Sequence, residues 1–292
     1  ISLAAVNALG AIGNATSVPQ LAELAAKGDA EIQSTARASL AEMRGEDVDS
    51  AIAASIDKGD ATVRRELARA LGSRRTKSAI PALLLAAADA DSSVRAEGFA
   101  SLAAIAPADQ LKPIVELLAI EQDDIARAEG EKAALAVLSR NNAPAFAAAT
   151  VMSALPDVKQ GIPAYCSILR VAGKIDDPTA YDVLVGAAEL KNTDVRTTAV
   201  RALSDWPNNA PMEKLIEVAQ TVEDASVRDI ALRGYLRMVE FPDNLADRAP
   251  QYDAALKAAR SAEDRKLVLA SIGKQHDPKL VDLITPMTED PE

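Results

Sequence analysis

The stretch Asp60-Ala-Thr-Val63-Arg64-Arg65-Glu66-Leu67-Ala68-Arg69-Ala70-Leu71-Gly72 decides the fold, because partial copies of it run through the chain. Its opening recurs as Asp29-Ala-Glu-Ile32-Gln33, Asp91-Ser-Ser-Val94-Arg95, Asp123-Asp-Ile-Ala126-Arg127, Asn192-Thr-Asp-Val195-Arg196 and Asp224-Ala-Ser-Val227-Arg228. A weaker copy is Ser261-Ala-Glu-Asp264-Arg265. The fourth residue of each copy is an anchor, and successive anchors lie 31, 31, 32, 69, 32 and 37 residues apart, the 69 being two periods. Such a period marks a repeat architecture. The first column (Asp, Asn or Ser) supplies side chains that accept from the free amides of a starting helix. Seven residues after the anchor stand Ser39, Ala70, Ser101, Ala133, Ala202, Gly234 and Ser271, all small, as a close helix–helix approach requires. One residue further come Leu40, Leu71, Leu102, Ala134, Leu203, Tyr235 and Ile272, a predicted core column.

Between these helices the sequence places others, each opened near a proline: Pro19, Pro81, Pro113, Pro144, Pro178, Pro211 and Pro278. Proline suits the first helical turn, where its missing amide is not needed. Glycines such as Gly10, Gly13, Gly72 and Gly273 sit near the predicted ends. Apolar residues make up 49% of the chain but aromatics only 3%, so alanine carries much of the apolar share and helices must approach closely. The unit is a helical hairpin that cannot bury a core alone and must stack. Eight hairpins are expected, with a lone second helix at 1–13 and a lone first helix near 278–288, in one solenoid spanning 1–292. The repeat at 141–175 departs from the pattern. Its anchor falls near Val158, Leu155 and Pro156 replace the cap, Lys159 replaces arginine, and Gly161 and Pro163 interrupt a second helix expected over 158–172. Ordinary degeneracy of a repeat accounts for this, as would a bend or hinge.

The pattern proline–helix–D-x-x-V-R-x-x-A-x-x-A-L-G resembles the short HEAT repeats of bacterial proteins, also called PBS-lyase HEAT-like. The resemblance covers nearly the whole chain. It implies an all-α fold, a right-handed α-solenoid whose second helices line the concave face. The stretches Ala202-Leu203-Ser204-Asp205-Trp206-Pro207 and Ala231-Leu232-Arg233-Gly234-Tyr235-Leu236-Arg237 are similar to HEAT segments of large multidomain bacterial proteins. Those are often exported and joined to carbohydrate-related or cytochrome domains. The resemblance therefore implies a fragment of a longer polypeptide, with an exported or periplasmic location favoured over a cytoplasmic one. The apparent start and stop in mid-repeat, without polar caps, agree with that expectation.

Catalytic chemistry finds little footing. The single His276 lies in a predicted turn, and the single Cys166 lies in a predicted helix, where cysteine acts as a small hydrophobe. One histidine cannot reproduce the His-Glu iron sites of deoxyhypusine hydroxylases, which also carry HEAT repeats. Phycobilin lyases share the repeat type, but a fold carries no chemistry by itself. HEAT-like alkylpurine glycosylases use a basic groove with clustered aromatics, whereas the lone Trp206 suits a repeat junction. No phosphate-binding glycine motif occurs, and no run of 18 apolar residues could span a membrane. The expectation is a protein that is not an enzyme, with no cofactor and no metal. A net charge of −11 disfavours nucleic acid.

Charge is nevertheless segregated. The second helices, over 31–44, 62–75, 93–106, 124–140, 158–172, 194–205, 226–239 and 263–274, hold 21 Lys/Arg against 12 Asp/Glu; the rest holds 11 against 31. The arginine after each anchor is expected to pair with an acid in a neighbouring repeat, as in the family's Asp–Arg ladders. Beyond that ladder, Arg69, Lys132, Arg201 and Arg233 share the column six after the anchor, with Arg65 and Arg237 one turn away on the same stripe. These six residues are the candidate binding site, a positive band for a protein or peptide partner, an acidic one by charge. A solvated face with local pairs such as Asp229–Arg233 is the plainer reading. The expected function is an interaction scaffold; a spacer between flanking domains, or a lyase or glycosylase, are the rivals.

Overall fold

A computed structural model of the chain describes residues 2–140, 143–159, 161–241 and 248–286. Of these, 77% are helical and none is in a strand. A lone α1 (Leu3–Ile12) precedes the hairpins. The first four pair α2 (Val18–Lys27) with α3 (Ala30–Glu42), α4 (Glu46–Ala53) with α5 (Ala61–Arg74), α6 (Ile80–Ala86) with α7 (Ser92–Ile105), and α8 (Leu111–Ile120) with α9 (Asp124–Leu138). Next come α10 (Pro144–Ser153) with α11 (Ile162–Ala172), and α12 (Pro178–Glu189) with α13 (Thr193–Ser204). The last two pair α14 (Met212–Thr221) with α15 (Ala225–Val239), and α16 (Ala249–Ala258) with α17 (Ala262–Gln275). A short α18 (Val281–Ile284) follows; residues 287 and 288 of its expected span lie outside the described residues, as do 141, 142 and 160 of the irregular repeat.

The expected caps form. Asp29, Asp60, Asp91, Asp123, Asn192 and Asp224 each accept from the amide of the anchor three residues on, and Ser261 forms a reciprocal capping box with Asp264. Both inner columns are buried throughout. The irregular repeat corrects one expectation. Its second helix starts at Ile162, so Val158 lies in the preceding turn and Pro163 opens the helix instead of interrupting it. Proline fits there because the first turn needs no amide from it.

The chain forms two compact units, Ile1–Val171 and Ala172–Glu292, so the boundary falls at the end of that irregular repeat, inside the span expected as one solenoid. In the first unit α1, α3, α5, α7 and α9 lie side by side in chain order; in the second α13, α15 and α17 do. Glycine and serine set the close approach. Gly10 of α1 faces Ser39 of α3, and Gly72 of α5 faces Ser101 of α7; in both, an added Cβ would lie 2.4 Å from the serine Oγ. The hydroxyls donate to the Val6 and Ala68 carbonyls at 3.3 and 3.0 Å. In the second unit the order is reversed, with Ser204 of α13 against Gly234 of α15.

The expected ladder forms at Arg64 and Arg95 but not at Arg196, whose Nε is buried without a partner, or at Arg228, which donates to the Val222 and Glu223 carbonyls of its own hairpin. Arg64 reaches forward to Asp89 (2.7 and 2.8 Å), and Arg95 to Glu121 (2.7 and 2.9 Å), each a two-pronged bond into the next hairpin's turn. Arg127, which faces the irregular repeat, turns back to Asp124. The Arg64 bond holds the Asp89 carboxyl below its ordinary range. At Glu121 burial pushes upward, but the Arg95 bond and the Asp123 amide outweigh it, and the net shift is downward. A carboxyl with a depressed folded pKa contributes stability above its unfolded pKa and loses it as pH falls through the folded one. The melting temperature is therefore expected to drop on acidification below about pH 4. Thermal melts should show a shallower drop in the Glu121→Gln variant, which no longer takes up that proton.

Helix ends carry a second device. Arg74 donates to the carbonyls of Leu40, Ala41 and Met43 at 3.0, 3.3 and 2.8 Å, closing the end of α3. Arg140 closes α7 through Ala103 and Ala106, at 2.7 Å each, and Arg248 closes α15 through Val239 and Phe241. These carbonyls have no partner inside their own helices. The end of α5 is handled differently: Arg75 sits in the left-handed region at φ 55°. An L side chain is disfavoured there and glycine is not. Arg75→Gly is expected to raise the unfolding free energy by about 0.5–1 kcal/mol, read from the urea midpoint.

Candidate interaction surface

The six residues expected to form a positive band divide between the units, with Arg65, Arg69 and Lys132 in the first and Arg201, Arg233 and Arg237 in the second. Three of the six, Arg69, Lys132 and Arg233, are paired with carboxylates. Arg69 bonds Glu66 (3.1 and 3.3 Å) and Glu97 (2.6 Å). Lys132 bonds Glu129 at 2.6 Å, and Arg233 bonds Asp229 at 2.9 Å. Arg237 is a helix-end clamp: it donates to the Ser204 and Trp206 carbonyls at 2.9 and 2.6 Å and lies over the Phe241 ring. Arg201 is exposed on α13. Arg65 stands 3.6 Å from a Glu66 oxygen, outside hydrogen-bond reach. The six residues expected to be free thus divide into three carboxylate pairs, the helix-end clamp Arg237, and Arg65 and Arg201 as the looser members. The physical reason is a glutamate column three residues after the anchor (Glu66, Glu97 and Glu129) on three successive second helices.

Glu66 is the centre of the first unit's network. Its side chain is fully buried and takes Arg37 Nε and Nη2 at 2.7 and 2.9 Å as well as Arg69. Beside this network, residues of α5, α7 and α9 line an open groove of about 380 Å³. Arg65 of α5 lines it, as do Ala96, Glu97 and Ala100 of α7, the middle helix, and Ile125 and Glu129 of α9. Ile125 is 72% exposed, a large apolar side chain standing in water at the groove's edge. Sequence reasoning passed over it, yet a signal existed. The residue before the anchor is Glu31, Thr62, Ser93, Asp194, Ser226 and Glu263 in other repeats, all polar; only here is it isoleucine.

The family model described as HEAT repeats matches residues 48–136, which contain α5, α7 and most of α9. The residues that line the groove all fall within the matched span. No curated protein sequence matches the chain. Among solved structures, Kap121p is similar at 14% identity and TM-score 0.54, over 96% of this chain and 36% of Kap121p. Kap121p bound to Pho4p is similar at 14% identity and TM-score 0.52, over 95% and 36%. The chain thus spans about a third of Kap121p's length, and the likeness concerns the fold: an all-α solenoid of stacked hairpins. The complex of CpcE and CpcF of phycocyanin lyase from Nostoc sp. PCC7120 aligns over 88% of this chain and 94% of that one, at 16% identity and TM-score 0.37.

Trp206 packs inside the second unit, edge-on to Tyr181 with ring centroids 5.8 Å apart, as a junction residue would. Cys166 is buried in α11. His276 ends α17 in the left-handed region with its Nδ1 3.0 Å from the Gly273 carbonyl. Among the described residues no group of three or more His, Cys, Asp or Glu is arranged to hold a metal, and no helix is long and apolar enough to cross a membrane.

Proposed function

We propose that the chain is a non-catalytic scaffold that holds a protein partner in the solvent-facing groove of its second helices. One observation carries this reading. On α5, α7 and α9 the ion pairs and caps satisfy most charged groups internally, while a groove with an exposed isoleucine is left facing solvent. Isolated exposed apolar residues are common, but this one lines a groove across three packed helices, where a partner could bury it. The solenoid of Kap121p bound to Pho4p supports the use of such a fold to hold a protein.

Affinity capture tests it. The tagged chain and an Ile125→Asp/Lys132→Glu variant are used as baits in parallel, with circular dichroism to show that both are folded. A partner kept by the first and lost by the second is expected. Identical retention by both baits would move the interface elsewhere, and retention of nothing specific would favour a spacer.

A further inference from the structure

Around Glu66 the charges do not balance. Three guanidiniums (Arg37, Arg65 and Arg69) meet two carboxylates (Glu66 and Glu97). Arg37 takes both oxygens of Glu66 at 2.7 and 2.9 Å, and Arg69 bridges Glu66 and Glu97. Arg65 is left over. Its nearest ion-pair contact is the 3.6 Å approach to an oxygen already shared by two other arginines, and its Nε is buried without a hydrogen-bond partner. A third of the side chain is exposed, and it lines the groove. Turning the guanidinium outward would free the orphaned donor and give up only a long contact.

The other charged groups of the groove are occupied. Glu97 holds Arg69 at 2.6 Å, Glu129 holds Lys132 at 2.6 Å, and Asp123 accepts from the amides of Ile125 and Ala126 at 3.0 Å each. Across from Arg65 the groove offers Ala96, Ala100 and the exposed Ile125. A cation with unspent donors beside an apolar shelf is complementary to an acid next to an aliphatic group. We infer that this groove takes an extended peptide segment of the partner, seating a carboxylate side chain on Arg65 and a neighbouring branched aliphatic side chain against Ile125. The inference rests on the scaffold reading and names the chemistry of what is held.

The test is selection of a displayed random heptapeptide library on the wild-type chain, followed by fluorescence anisotropy with the consensus peptide. Enriched peptides are expected to carry Asp or Glu within two or three positions of Leu, Ile or Val. Their binding should weaken about tenfold or more in Arg65→Ala and in Ile125→Asp, as loss of a charge-assisted bond or of an apolar contact implies. It should be unchanged in Arg233→Ala, and weaker at high salt. Arg65→Glu should redirect the selection toward basic peptides. Enrichment without an acidic residue, binding indifferent to both groove variants, or no enrichment would each overturn the inference. Partner capture that still depends on Ile125 and Lys132 would then leave the scaffold reading standing; loss of that dependence would remove it separately.

Discussion

Replacing Glu66 with leucine is expected to lower the unfolding free energy by about 2–3 kcal/mol. The carboxylate is fully buried and is the common acceptor for arginines from two adjacent second helices. Removing it leaves Arg37, Arg65 and Arg69 with Glu97 as the single carboxylate of the cluster. Breaking a buried pair by deleting one partner costs about 3–5 kcal/mol. The lower figure applies because the Arg37 and Arg69 side chains are 35% and 36% exposed and water can reach them. Substituting Arg37 and Glu66 together by leucine should recover part of the loss, since an apolar pair needs no counter-charge. A double-mutant cycle in urea measures this. Equal losses in the single and double variants would show that packing of the Glu66 stem, and not its charge, holds the helices.

Gly98→Ala should cost about 1–2 kcal/mol although alanine is the better helix former. A Cβ on Gly98 would lie 2.5 Å from the Ala87 nitrogen, 2.8 Å from the Ala86 carbonyl carbon and 2.9 Å from the Ala87 Cα. These are backbone atoms at the end of α6, so no side-chain rotation relieves the clash and the hairpin must open. Overpacking of this kind costs about 1–3 kcal/mol, against a helix-propensity gain of about 1 kcal/mol. Gly186 in α12 is the internal control, with nothing within 4 Å of the position its Cβ would take. Gly186→Ala should therefore stabilise by up to about 1 kcal/mol. The same chemical change is expected to have opposite signs at the two sites, which urea midpoints would show directly.

What was legible in the sequence was what a helix decides locally. Seven caps, two buried columns and the proline-led first helices follow from residues within one turn of each other, and each stands where expected. Val158 shows the limit: the nearest apolar residue to the expected spacing lost to Pro163, whose ring fits only a first turn. The charge pattern was legible as a count and not as an arrangement. Arg69 and Arg237 share a helical stripe on paper, but their partners lie 28 to 33 residues away, and the facing of the next helix decides between them. So Arg237 closes a helix end while Arg69 joins a carboxylate bridge. Ile125 was readable as a break in a polar column, but only once its column was known to face outward.

The glycine–serine contacts of the first unit have a spacing of their own. Gly10 with Ser39 and Gly72 with Ser101 are related by 62 residues, two hairpins and not one. The true module here is thus a double hairpin, and excision obeys its register. Removing residues 11–72 would join Gly10 to Ser73 and set it opposite Ser101, recreating the native contact. Removing only 11–41 would set Gly10 opposite Ala70, where no hydroxyl reaches back to a carbonyl and the space left by the glycine stays empty. Chains shortened by the even unit should keep their cooperativity better than chains shortened by the odd one.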